Sequence, residues 1–252
     1  NNGTFNSNNQ GRVQFRAGAH LLQGETHFWD LETVNSTCVV KVLSTIYIHN
    51  LLKLKDGLLG GSGSAQVILF SDGVQDGRLG ICPNGNLLGD IVYMKAVSRG
   101  NGWGIYGMPF DAALSQYSAT TSGNMIYTGF TGGVNFPDFD WVNTYTFSET
   151  TSNGVFNNGY VTPGSTGEVI PRGRGFWYYN TDTPFGGGSQ VFDQNWIWNL
   201  EGPIDLQTGF DYGVTFTNNT SESGWNLIAN PYPGSINWSH ASWTKTNIDN
   251  AV

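Results

Sequence analysis

The chain has 252 residues, only 12% of them charged, and a formal net charge of −8. That length supports one large all-β domain or two modest ones with a real core. The acidic balance, with only 11 Lys and Arg, argues against nucleic acid, because phosphate binding needs a basic face. It argues equally against docking to anionic lipid, and no apolar run approaches the roughly 20 residues of a membrane-spanning helix. Glycine contributes 35 residues and aromatics 14%, and the glycine share is about twice the usual ~7%. Such a composition is typical of secreted β proteins rather than of cytosolic enzymes with Lys- and Glu-rich helices. No signal peptide is visible. The abrupt start at "NNGTFN" and stop at "NIDNAV" read as a mature or excised piece of a longer protein.

Residues 1–95 read as a series of short strands. "RVQFRAG" alternates through Val13 and Phe15, and "CVVKVLSTIYIHNLLKLKDG" through Val40, Val42, Ile46, Ile48 and Leu54. "AQVILFSDG" adds another strand. The period of two is that of β-structure. Gly-, Asn- and Asp-rich turns such as "SDGVQDG" and "CPNGN" separate the strands, supplying positive φ cheaply. Similar successive segments that are not clean hairpins predict β-solenoid-like rungs, each burying its inward side chains against its neighbours. Cys38 and Cys82 either pair in an oxidising compartment or stand as two buried thiols. No CxxC or paired-His spacing predicts zinc. His20 and His27 lie near Glu25, but scattered histidines at rung edges explain them better than a metal site. Asp72 and Asp76 in "SDGVQDG" read as a turn.

Residues 96–252 change character, and tryptophan becomes frequent. "DWVNTYTFSE", "RGFWYYN", "NWIWNLEG" and "YGVTFTN" read as strands, and "PFDAALSQY" and "SHASWTKTNIDNA" as brief helical stretches. The prediction for this half is a β-sandwich module with long loops. An internal repeat runs through it. "NGWGIYGMPF" and "SGWNLIANPY" share a Gly-Trp-x-aliphatic-x3-Pro-aromatic pattern at an offset of 122 residues, 225 minus 103. Gly frees the backbone so that the Trp turns inward, the next apolar residues form a short buried strand, and Pro ends it. Trp103, Pro109, Trp225, Pro231 and Tyr232 are therefore assigned as scaffold, with the two copies expected in the two sheets of one sandwich.

"GWNLIANPYPGSINW" followed by "ASWTKTNIDNAV" resembles the "GWNLIGNPYPS … NIDNAIYVW" region of large surface proteins of Bacteroidota exported by the type IX secretion system. "TGFTGGVNFPDFDWVNTYTFSET", "PRGRGFWYYN" and "NNGTFNSNNQGRVQF" resemble further elements of that family, so the likeness covers nearly the whole chain. It implies solenoid rungs leading into a β-rich module of a secreted or surface-displayed protein, of the kind described as adhesins or stalks. The partners it implies are neighbouring modules of the same protein, further copies, and the secretion machinery.

For chemistry, Asp138 and Asp140 in "NFPDFDW" are a weak Ca²⁺ candidate or a glycosidase-like acid pair. Without a D-x-D-x-D-G pattern, a surface loop is the better reading. Arg172 and Arg174 in "RGRG" are read as pairing with an acid or stacking on a ring. No G-x-S-x-G nucleophile motif occurs. The expectation is a non-catalytic structural or adhesive segment without a cofactor. The alternative is a carbohydrate-binding module that uses exposed aromatics on surface glycans. Trp196 and Trp198, two apart on one strand face, are the residues expected to form that platform.

Overall fold

The computed structural model describes residues 5–6, 11–61, 63–97, 102–118, 127–134, 136–138, 140–180, 196–206, 209–218, 220–241 and 243–246. The chain is all-β, with a β-solenoid of about four turns joined to antiparallel sheets. The first rung is β1 (Phe5–Asn6), β2 (Arg12–Phe15) and β3 (Ala19–Leu22), all pairing in parallel with β4 (Thr26–Val42). Strand β4 pairs in parallel with β5 (Ile46–Gly61). The next rung, β6 (Val67–Leu69), β7 (Arg78–Leu79) and β8 (Asn84–Leu88), stacks on β5. Strand β9 (Ile91–Val97) then continues the stack on β6.

The alternation read in the sequence becomes vertical columns. Register places Phe28, Ile48, Leu69 and Tyr93 above one another, and likewise Leu31, Leu52 and Leu79. Parallel stacking superimposes equivalent residues of successive rungs, so each inward aliphatic meets its counterpart rather than water. Register slips at Phe28/Asp30 and between Thr33 and Val39 mark the corners where the rung changes face.

The outside of the stack is held by polar ladders. Asn50 donates through Nδ2 to Asp30 Oδ1 at 2.7 Å, and Gln75 donates through Nε2 to Asn50 Oδ1 at 3.1 Å. Glu32 is buried under longer neighbours, with Lys55 Nζ at 2.6 Å, Arg12 Nη1 at 3.8 Å and Gln14 donating to it. Burial works against its charge, but the contacts with Lys55, Gln14 and Arg12 prevail and hold its carboxyl below the usual range.

The solenoid does not end where the sequence changes character. Strand β16 (Trp196–Gly202) pairs antiparallel with β9 along its whole length, from Trp196↔Val97 to Gly202↔Ile91. A strand from the second half therefore completes the ten-stranded sheet. Beyond it, β10 (Gly102–Tyr106), β15 (Phe176–Asn180), β12 (Thr144–Phe147) and β13 (Tyr160–Val161) form a four-stranded antiparallel sheet in that order. Strands β11 (Ala112–Ala113) and β14 (Val169–Ile170) form a two-stranded one. The inner face of the four-stranded sheet packs on β16 through Tyr106, and Tyr117 of the 114–118 segment packs there too, each 5.0 Å from the Trp198 ring and edge-on to it.

Three local expectations change. "PFDAALSQY" forms β11 and a 3₁₀ turn over Leu114–Ser118 rather than an α-helix. In the "SHASW" stretch only turns are described, and residues 247–252 lie outside the described residues. "YGVTFTN" is not a strand, because side chains take its backbone groups. Thr215 N donates to Asn226 Oδ1, Asn226 Nδ2 donates to Thr215 O, and Thr217 N donates to Glu149. Cys38 and Cys82 are free buried thiols rather than a disulfide. Burial raises the pKa of both.

The two copies of the Gly-Trp repeat do not occupy two sheets. Both run antiparallel to the 173–180 segment, one as β10 and the other through the Arg174↔Ile228 bridge and the Ala229 N–Gly173 O bond. They meet at equivalent positions. A Cβ on Gly107 would overlap the Ala229 methyl and lie 2.7 Å from the Arg174 carbonyl oxygen. A Cβ on Gly175 would lie 3.0 Å from Leu227 and 3.3 Å from Ile105. Gly107→Ala is therefore expected to destabilise the fold by about 1–3 kcal/mol. Adding Ala229→Gly should restore part of that loss, because the methyl clash disappears while the carbonyl clash remains. Chemical denaturation of both single variants and the double variant measures this coupling.

Candidate functional site

Alternation on the four-stranded sheet sorts its aromatics onto two faces. Phe176 and Tyr178 of β15 point inward and are fully buried. Trp177 and Tyr179 of the same strand point outward and are half-buried. Cross-strand register sets Trp103 opposite Tyr179, and Tyr145 opposite Trp177, on that outer face. Trp141, three residues before β12, joins them.

The outer rings form one connected strip. Trp103 lies 6.4 Å from Trp141, 5.4 Å from Tyr179, 5.7 Å from Tyr145 and 6.4 Å from Trp177. Tyr160 continues it, 6.1 Å from Tyr145 and 6.0 Å from Trp177. Phe156 follows at 5.5 Å from Tyr160, and Trp225 closes the strip at 5.6 Å from Phe156. Trp103 is 44% exposed, Trp141 40% and Trp225 53%. Cross-strand aromatic pairs stiffen such a surface, and a contiguous exposed apolar patch marks an interaction site.

The two repeat tryptophans thus stand outward, toward opposite parts of one strip, and the inward orientation expected of them is corrected. The glycine argument holds in a different sense. Gly102 and Gly224 both have positive φ, +149° and +91°, and that freedom turns the following rings out. The rest of each repeat is packed: Pro109 and Pro231 are buried, and Tyr232 is half-buried. Arg172 lies over the Tyr232 ring at 5.1 Å and the Phe210 ring at 4.7 Å, donates to Pro231 O at 2.9 Å, and pairs with Asp205 at 2.8 Å. It pins the second repeat to the loop before it. Arg174 donates to Gly213 O.

Trp225 is positioned by a buried carboxylate. Glu149, in the one-turn helix α1 (Glu149–Ser152), accepts through Oε1 from Thr217 Oγ1 at 2.6 Å, Thr217 N at 2.7 Å and Gly224 N at 3.1 Å. The Thr217 hydroxyl bond above all, with the two backbone bonds, holds its carboxyl below the usual range. A depressed carboxyl contributes stability above its unfolded value of about 4.3 and loses it as pH falls through the folded one. Acidification below about pH 4 is expected to loosen the 215–225 segment and change tryptophan emission. In Glu149→Gln that step should flatten, which a fluorescence titration of both proteins checks.

The platform expected from Trp196 and Trp198 is not found. Trp198 is 1% exposed, filling the interface between β16 and the four-stranded sheet. The Trp196 side chain lies outside the described residues. Asp138 and Asp140 are exposed on the loop leading to Trp141, and no cluster of three metal-ligating side chains occurs among the described residues. Asp72 accepts from Val74 N and Gln75 N and closes its turn, while Asp76 pairs with Lys95. His27 Nδ1 lies 2.9 Å from His49 Nε2, and its Nε2 lies 3.1 Å from Glu25, as part of an outer stack with Tyr47. His20 Nε2 lies 2.8 Å from Ala17 O. A cleft of about 790 Å³ at the seam of the two halves includes Asn50, Arg78 and Lys95. Lys95 there is paired with Asp76, and Arg78 donates to Asn50 at 3.4 Å, contacts that lie within the solenoid rungs.

Comparison with protein-family models, with curated proteins and with solved structures finds no match to this chain.

Proposed function

We infer that the chain is a non-catalytic structural and adhesive segment of a secreted bacterial cell-surface protein. The solenoid acts as a stiff spacer and the module as the contact element. The observation that carries this reading is the outward aromatic strip, built on a sheet locked to the solenoid through β16. A surface that costs this much exposed apolar area is retained where it meets a partner. The resemblance to type IX-exported Bacteroidota surface proteins supports the placement on the cell surface.

Beads coated with the full chain test the adhesive reading. They should be retained on glycan-rich surfaces such as cellulose fibre. Beads carrying Trp103→Ala with Trp225→Ala should be released. Equal retention of both would remove the strip from the function.

A further inference from the structure

We propose that the aromatic strip binds an extended, uncharged polysaccharide, with sugar rings laid on Trp103, Trp177 and Trp225. This rests on the adhesive reading above and names the ligand class. The strip is long and connected, running from Trp141 to Trp225 through ring-to-ring contacts of 5.5–6.4 Å. Successive rings are tilted against one another by 48–84°, so the row is a series of separate faces, which suits a twisted polymer of repeating units better than one compact ligand. The axial C–H groups of a pyranose ring present an apolar face that carries slight positive charge. It complements the negative face of an indole or phenol ring. Trp and Tyr lose little conformational freedom on contact, and here cross-strand partners hold them further.

Charge selects the class. The cation–ring contacts among the described residues involve Phe210, Tyr232 and Trp238, and no ring of the strip. Among the described residues, charged groups named beside the strip are acids: exposed Asp138 and Asp140 next to Trp141 in the chain, and Glu222, which accepts from Phe156 N at 3.1 Å. A polyuronate or sulfated glycan would be repelled there, while a neutral chain is not. Exposed Asn157, Asn158 and Thr162 flank Phe156 and Tyr160. Their amide and hydroxyl groups match sugar hydroxyls as both donors and acceptors.

Native gels cast with hydroxyethylcellulose, galactomannan, xylan or polygalacturonate provide the test, run with the full chain. At least one of the three neutral polymers should retard the wild type, and polygalacturonate should not. Trp103→Ala and Trp225→Ala should each weaken retardation at least tenfold, Trp103→Phe less, and Val74→Ala on the solenoid not at all. Unchanged thermal melts of the variants exclude misfolding as the cause. Retardation by polygalacturonate alone, or by none of the four, overturns the proposal. So does a concentration-dependent dimer that Trp103→Ala abolishes, since the strip would then be a self-association surface. Bead adhesion that persists in those cases leaves the adhesive reading standing, and its loss removes both.

Discussion

Trp198→Ala is expected to lower the stability of the whole chain by about 3–5 kcal/mol, the range for removing a large buried aromatic. The ring is 1% exposed and sits edge-on between Tyr106 and Tyr117, where the four-stranded sheet meets β16. Its loss opens a cavity where the four-stranded sheet packs on β16, the last strand of the solenoid sheet. Unfolding should therefore lose cooperativity between the two halves as well as shift its midpoint. Trp198→Phe should cost far less, about 1 kcal/mol. It keeps a ring in the slot and removes an indole N–H that has no hydrogen-bond partner among the described residues. Urea denaturation followed by tryptophan emission and by far-UV dichroism measures both effects. A Trp198→Ala protein with an unchanged midpoint would mean that β16 is not the joint.

Leu52→Ala is expected to cost about 2–5 kcal/mol, whereas Leu51→Ala, next to it, should cost about 1 kcal/mol or less. Leu52 is fully buried in the column with Leu31 and Leu79, while Leu51 is half-buried on the outer side of the same strand. In a solenoid each rung is stabilised by its neighbours. A cavity in the β5 rung thus weakens the contacts of β4 and of β6–β8 together. Hydrogen exchange should show protection falling across those rungs at once in Leu52→Ala. Loss confined to β5 would contradict column packing.

The solenoid was legible because its signal is local. "IYIHNLLKLKDGLLGG" alternates with period two, and a parallel rung needs only that alternation repeated about every twenty residues, as the Thr26↔Ile46 and Ile46↔Val67 registers show. The internal repeat was legible too, and so were its glycines. Less legible was the side of the sheet on which each aromatic stands. In "GFWYYN", Phe176, Trp177, Tyr178 and Tyr179 are all large and apolar enough for a core. Period two divides them into pairs, but it does not say which pair faces in. Trp198 and Trp103 were assigned to the wrong environments for that reason.

By itself the sequence determined that this protein is all-β, that its first part stacks in parallel rungs, and that a Gly-Trp unit occurs twice. Alternation, turn residues and low charge act within a few residues and need no partner to be read. Only the tertiary structure decided that β16 returns to finish the solenoid sheet, which depends on the distant pairing with β9. Tyr117 and Tyr127, with Trp198 of β16 behind Tyr117, cover the Phe176–Tyr178 face and leave the Trp177–Tyr179 face outward. Burial belongs to a pair of surfaces, so no single strand carries the information about which of its faces will be covered.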